Sequence, residues 1–181
     1  MEAPTRTTAR FRANPMGFGN NLATYVDNGG WVVLGALCTY CSGNCLRGTI
    51  MTAAYCPVYS PSLSNHFSPA GWSGDDADAC EYWGLAPGWQ AYYRDYLALQ
   101  GAGLRRGTFT DGEIACAVGP GNTVYYVNGS GGSPILWDPN IEQVVANVCD
   151  YCFTSIPPWE PPPPPVPTVE RSWGSVKGLY R

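Results

Sequence analysis

Thr108-Phe109-Thr110-Asp111-Gly112-Glu113-Ile114-Ala115-Cys116-Ala117-Val118 and then Asn122-Thr123-Val124-Tyr125-Tyr126-Val127 are the runs whose reading decides the fold. β-branched and aromatic side chains dominate them, which predicts strands. Asn128-Gly129-Ser130-Gly131-Gly132 follows as a hairpin loop into a further strand over Pro134–Trp137. Towards the N-terminus, the continuous apolar run Trp31–Leu37 predicts a buried strand. Shorter strands are expected near Leu22–Val26, between Gly- and Asn-rich loops, and over Thr49–Tyr55. Pro57–Trp72 reads as loop.

Helical signals lie between and after these runs. Ser73 suits the cap of a short helix whose first turn holds Asp75, Asp76 and Asp78. Pro87-Gly88 precedes a second, Trp89–Gln100, with Trp89, Tyr92, Tyr93, Tyr96 and Leu97 on one face and Gly101 as its stop. Asn140 suits the cap of a final helix carrying Ile141, Val144, Val145, Val148, Cys149 and Cys152 along one stripe, although its β-branched content also fits a strand. The expected fold class is α+β, β-leaning: one compact disulfide-rich domain of short strands with one or two helices. An extended N-terminal arm and a proline-spaced C-terminal tail complete it. The boundaries are a basic arm at 1–15, a cysteine-rich globular domain at 16–156, a proline-rich spacer at 157–168 and a docking peptide at 169–181.

Composition agrees. Apolar residues make up 45% of the 181, enough for a core, whereas charged residues make up only 13%, about half of the roughly 25% usual in soluble domains. With 22 Gly, 17 Pro, 12 Tyr and 7 Trp, the chain suits short strands and packed loops, and a surface that meets other protein. Arg6, Arg10 and Arg12 against Glu2, and Arg171, Lys177 and Arg181 against Glu170, give each end a net +2. Two such arms on a chain of net −4 leave −8 on the body, so the arms are drawn to the bodies of neighbouring copies. Arms this short on an acidic chain argue against nucleic acid, and no segment has the ~20 apolar residues that cross a bilayer. No secretory signal is read at the N-terminus.

Eight cysteines, Cys38, Cys41, Cys45, Cys56, Cys80, Cys116, Cys149 and Cys152, are disulfide candidates. An even count favours bridges in an oxidising destination, with 105 possible pairings. The alternative is zinc held by the two C-x-x-C pairs, Cys38/Cys41 and Cys149/Cys152. The long separation of those pairs disfavours it. A third possibility is that the thiols stay reduced as small buried apolar residues.

Catalytic motifs are sparse. The single histidine, His66, sits in a Pro/Ser loop, and a Cys–His dyad has no local signature behind it. Gly71-Trp72-Ser73-Gly74 lacks nucleophile-elbow spacing, and Gly101–Gly107 is better read as turn than as a dinucleotide loop. Asp75, Asp76, Asp78 and Glu81 suit a hard cation less well than a helix start. Asn128-Gly129-Ser130 has the glycosylation pattern on an expected exposed loop. No enzymatic activity and no cofactor are expected.

From Pro157, Pro161–Pro165 and Pro167 build a stiff polyproline spacer. Beyond it, Trp173, Val176, Leu179 and Tyr180 are what an anchor that orders on binding needs. Together with Arg6, Arg10 and Arg12 they are the expected partner-binding residues. The reading is a non-enzymatic structural assembly protein, an accessory component of a virus or phage particle or of an extracellular filament. Its partners are copies of itself or a larger scaffold, with no nucleic acid and no membrane; it resides outside the cell or on the virion surface. The alternative is a secreted disulfide-bonded binding module for carbohydrate or a surface ligand.

Overall fold

The computed structural model describes residues 14–36, 38–39, 45–63, 65–66, 68–73, 80–129 and 139–152. In chain order these form α1 (Pro15–Asp27), β1 (Val32–Gly35), a 3-10 turn at Thr49–Met51, β2 (Val58–Tyr59), β3 (Asn65–His66) and a 3-10 turn at Cys80–Tyr82. There follow β4 (Arg94–Asp95), β5 (Ala98–Leu99), β6 (Leu104–Thr108), β7 (Ile114–Val118), β8 (Val124–Val127), α2 (Pro139–Asn147) and a π-helical turn at Val148–Cys152. The fold is α+β with short strands, as expected.

The main sheet has the order β1-β8-β7-β6, with β1 parallel to β8 and the other neighbours antiparallel. Every residue of β7 and β8 is buried, as central strands covered on both faces must be. The period of two sorts β8 between two cores. Val124 and Tyr126 join Ala23 and Val26 of α1, Val32 and Leu34 of β1, and Ile50. Tyr125 and Val127 face the other way, towards Val144 and Val148 of the C-terminal helical segment. The sheet is thus the middle layer between α1 and α2. Each fully buried Ile or Val in these layers contributes about 1.5–3 kcal/mol of transfer free energy.

Several expectations are corrected. Leu22–Val26 belongs to α1, not to a strand. Asn14 accepts from the Gly17 amide at 2.8 Å and Pro15 stands at the first helical position, so a cap and a preset φ open the helix despite its glycines. Thr49–Tyr55 begins as a 3-10 turn because Asn20 Oδ1 captures both the Thr49 amide, at 2.9 Å, and its hydroxyl, at 3.0 Å. Within Pro57–Trp72, read as loop, β2 and β3 form two-residue pairings with β5 and β4. Leu104–Gly107, read as turn, is the start of β6. Trp31–Leu37 does hold a strand, β1, but at the sheet edge with only Val32 and Leu34 buried. The C-terminal helix forms from Pro139, so Asn140 lies inside it and accepts from the Ala86 amide at 2.8 Å.

The largest correction is Trp89–Gln100, which is not a helix. Ala91 bridges Ala70, Arg94–Asp95 pair with β3 and Ala98–Leu99 pair with β2. Arg94 and Asp95 are fully buried, while Tyr92, Tyr96 and Leu99 are exposed. The helical face of aromatics gives way because the charged pair finds its partners inside.

The disulfide-rich expectation is also corrected. Cys38, Cys56, Cys116 and Cys149 are reduced, which leaves at most two bridges among eight cysteines. Cys45 and Cys80 are the described cysteines that are disulfide-bonded. Cys38 and Cys56 belong to the α1 side of the sheet and Cys116 to the α2 side. Burial pushes the Cys38 thiol up to about 11 and the Cys56 thiol up to about 12, so the thiolate that disulfide exchange requires is scarce. They serve as small apolar core residues. The strand at Pro134–Trp137, most of the loop after Asn128, the arms, the spacer and the docking peptide lie outside the described residues, as does most of the helix after Ser73.

Candidate docking groove

α1 ends at Asp27, and the next residues turn the chain sharply into β1. The Asn28 side chain donates to the Thr24 carbonyl at 2.7 Å. The Gly29 amide donates to Val26 O and the Gly30 amide to Tyr25 O, each at 2.9 Å. Gly29 has φ +85°, a conformation that glycine adopts without steric cost. Gly30 is bare for a different reason: the Tyr25 ring lies over it, and a Cβ there would sit 2.2 Å from Tyr25 Cε1.

The ring held this way is 55% exposed, and Trp31, just beyond the turn, is 50% exposed. With Val33 of β1 and Cys149 of the π-helical turn they line an open groove of about 320 Å³. Gly29 and Gly30 of the turn complete its lining. Cys149 is the exposed one of the four reduced cysteines. Its thiol is pushed up, first by partial burial and then by the Asp150 charge, which makes it a poor nucleophile at neutral pH. Flat apolar rings beside a mainly uncharged wall suit an extended apolar segment better than they suit bond-breaking chemistry.

The titratable groups that are most deeply buried are committed elsewhere. Arg94 donates to Ser68 O at 2.8 and 3.2 Å, to Asp111 at 2.9 Å and to Glu113 at 3.1 Å. Its guanidinium also lies 4.8 Å over Phe109, and Phe109 stacks on Trp72, which stacks on Tyr82. Asp95 Oδ2 accepts from the Tyr126 hydroxyl at 2.6 Å and from Thr39 at 2.9 Å. Burial, then the Asp95 charge, holds the Tyr126 phenol well above its ordinary value. Asn128 ties the network to the sheet, accepting from the Asp95 amide at 2.8 Å and donating to Asp95 O and Ile114 O. These charge-assisted bonds clamp β4 against β7 and β8.

Several residues singled out in the sequence are thereby reassigned. Asn128 is fully buried with both amide protons donated, so its glycosylation pattern is not on an exposed loop. Glu81 is fully buried and accepts from Arg106 Nε at 3.0 Å in an ion pair, while Asp75, Asp76 and Asp78 lie outside the described residues. His66 stands in β3 in register with Arg94. Of the zinc alternative, Cys38 packs on the α1-side core and Cys149 lines the groove; the side chains of Cys41 and Cys152 lie outside the described residues. Among the described residues no three metal-ligating side chains cluster. Arg6, Arg10, Arg12, Trp173, Val176, Leu179 and Tyr180 lie outside the described residues. Tyr25 and Trp31 escaped notice in the sequence because Trp31 heads an apolar run that reads as core. The signal that identifies them is the pair of rings flanking Asn28-Gly29-Gly30.

No protein-family model matches the chain, and neither a curated protein nor a solved structure is similar enough to match it.

Proposed function

We propose that this chain is a non-enzymatic structural assembly protein, an accessory component of a virus or phage particle or of an extracellular filament, held to its neighbours by the terminal arms. The observation that carries the reading is how the body divides its side chains. Arg94, Asp95 and Glu81 are fully buried, whereas Tyr25, Trp31, Tyr59, Trp83 and Tyr96 stand at the surface. Large rings left in water favour association, because covering them releases apolar surface from solvent. The acidic body and the basic arms supply complementary charge. The full chain is expected to form oligomers that weaken as salt rises, measured by analytical ultracentrifugation. Replacing Trp173, Leu179 and Tyr180 with serine is expected to give monomers. A wild type that stays monomeric at every salt concentration, unaffected by those replacements, would exclude the reading.

A second reading, a secreted carbohydrate-binding module, is favoured by Trp83, exposed at 60%, and by Tyr92 set edge-on against Tyr93 at 5.1 Å. Such rings make platforms for sugar faces. It requires ligand-dependent quenching of tryptophan fluorescence, and silence across a broad glycan panel removes it.

A further inference from the structure

The groove between Tyr25 and Trp31 and the proline run of residues 157–167 have complementary chemistry, and the chain's own connectivity brings them together. Aromatic-lined grooves bind polyproline helices because the prolines need little further ordering and present apolar ridges to flat rings. With three residues per turn, Pro158, Pro161 and Pro164 fall on one ridge of such a helix. Cys149 on the groove wall belongs to the final helical segment, which ends at Cys152. Four residues lie between Cys152 and Pro157, so the five backbone steps from one to the other reach up to about 17 Å when extended. A tether that short gives an effective concentration in the millimolar range, well above that of a second copy in dilute solution.

We propose that the Tyr25–Trp31 groove docks the proline run of its own chain, which fixes where the C-terminal peptide of residues 169–181 leaves the body. This goes beyond the assembly reading and does not depend on it, since the docking occurs within one molecule. The run lies across Cys149 when docked and uncovers it when released. Residues after the run are carried in a set direction, so the peptide is presented to a partner without first having to search for an orientation.

Alkylation of Cys149 by iodoacetamide in the full chain, followed residue by residue through peptide mass, tests this. An intrinsic affinity of about 100 µM against a millimolar tether keeps the groove occupied about nine-tenths of the time, so Cys149 reacts about tenfold slower than when it is uncovered. Replacing Pro158 and Pro161 to Pro165 with serine is expected to restore the fast rate, and Trp31→Ala to do the same. With Trp31→Ala present, adding the proline replacements should change the rate no further, which separates loss of docking from a merely more open Cys149. Cys56, fully buried, reports the integrity of the body by remaining unlabelled in every variant. Equal rates in wild type and the proline variant would overturn the proposal. Protection that appears only as protein concentration rises would overturn it too, by assigning the groove to a second copy.

Discussion

Residues 104–127 and residues 89–100 lie side by side in the chain and obey opposite rules. In β7 and β8 the apolar and aromatic side chains are inside and the sheet's alternation sorts them between two cores. In 89–100 the charged residues Arg94 and Asp95 are inside, and Tyr92, Tyr96 and Leu99 are outside. The first region is held by area removed from water. The second is held by hydrogen bonds and ion pairs that terminate inside the first. A buried charge costs several kcal/mol unless it is paired and hydrogen-bonded, so the second region depends on Asp111, Glu113, Tyr126 and Asn128, all contributed by or next to the sheet. Its tyrosines are free to face outwards because its polar groups supply the attachment.

The largest expected effect breaks the second region alone. Arg94→Ala empties a fully buried site and removes its bonds to Ser68 O, Asp111 and Glu113, and should lower the unfolding free energy by about 3 kcal/mol, read from urea denaturation. Val124→Ala, at a fully buried apolar position of β8, should cost less, about 2 kcal/mol, since it removes area and leaves a small cavity. A reversed order of these two would mean that the charges are not what holds 89–100 in place.

A smaller effect comes from pH. The Arg94 guanidinium bonded to Asp111 holds that carboxyl below its ordinary value of 3.8. A lowered folded value means a contribution to stability that is complete above 3.8 and is lost as pH falls through that value and below it. Asp111 is well exposed, so the contribution is modest. Urea midpoints measured from neutral pH downwards should fall below about pH 4, and Asp111→Asn should flatten part of that fall. An unchanged acid limb in Asp111→Asn would dissociate the pair from stability.

These contrasts also explain what the sequence disclosed. Val124–Val127 and Ile114–Val118 were legible because burial on both faces demands continuous apolar runs, and those runs are local. The final helix was legible from the spacing of Ile141, Val144 and Val148. Trp89–Gln100 reads as a helix because its aromatic spacing matches one, while the partners that make it extended lie 17 to 33 residues further on, at Asp111 and Asn128. Gly107 suggests turn chemistry in the sequence, whereas its bareness makes room for Tyr82, whose hydroxyl would sit 1.1 Å from a Cβ at that position. Long-range contacts of this kind leave no periodic trace. The groove was hidden for the same reason: Trp31 looks like the head of a core strand until the Gly29–Gly30 turn places it outside.

Residues 89–100 thus anchor through the buried Arg94 and Asp95 and leave Tyr92 and Tyr96 at the surface. The most direct test is the set of backbone and Cβ chemical shifts over residues 89–100 in the native protein, with amide exchange measured in the same samples. Extended-type shifts, slow exchange at Ala91 and Asp95, and loss of the Asp95 protection in Asn128→Ala are predicted, because those amides donate to Ala70 O and to Asn128 Oδ1. A continuous run of helical shifts from Trp89 to Gln100, with protection indifferent to Asn128, would contradict the account.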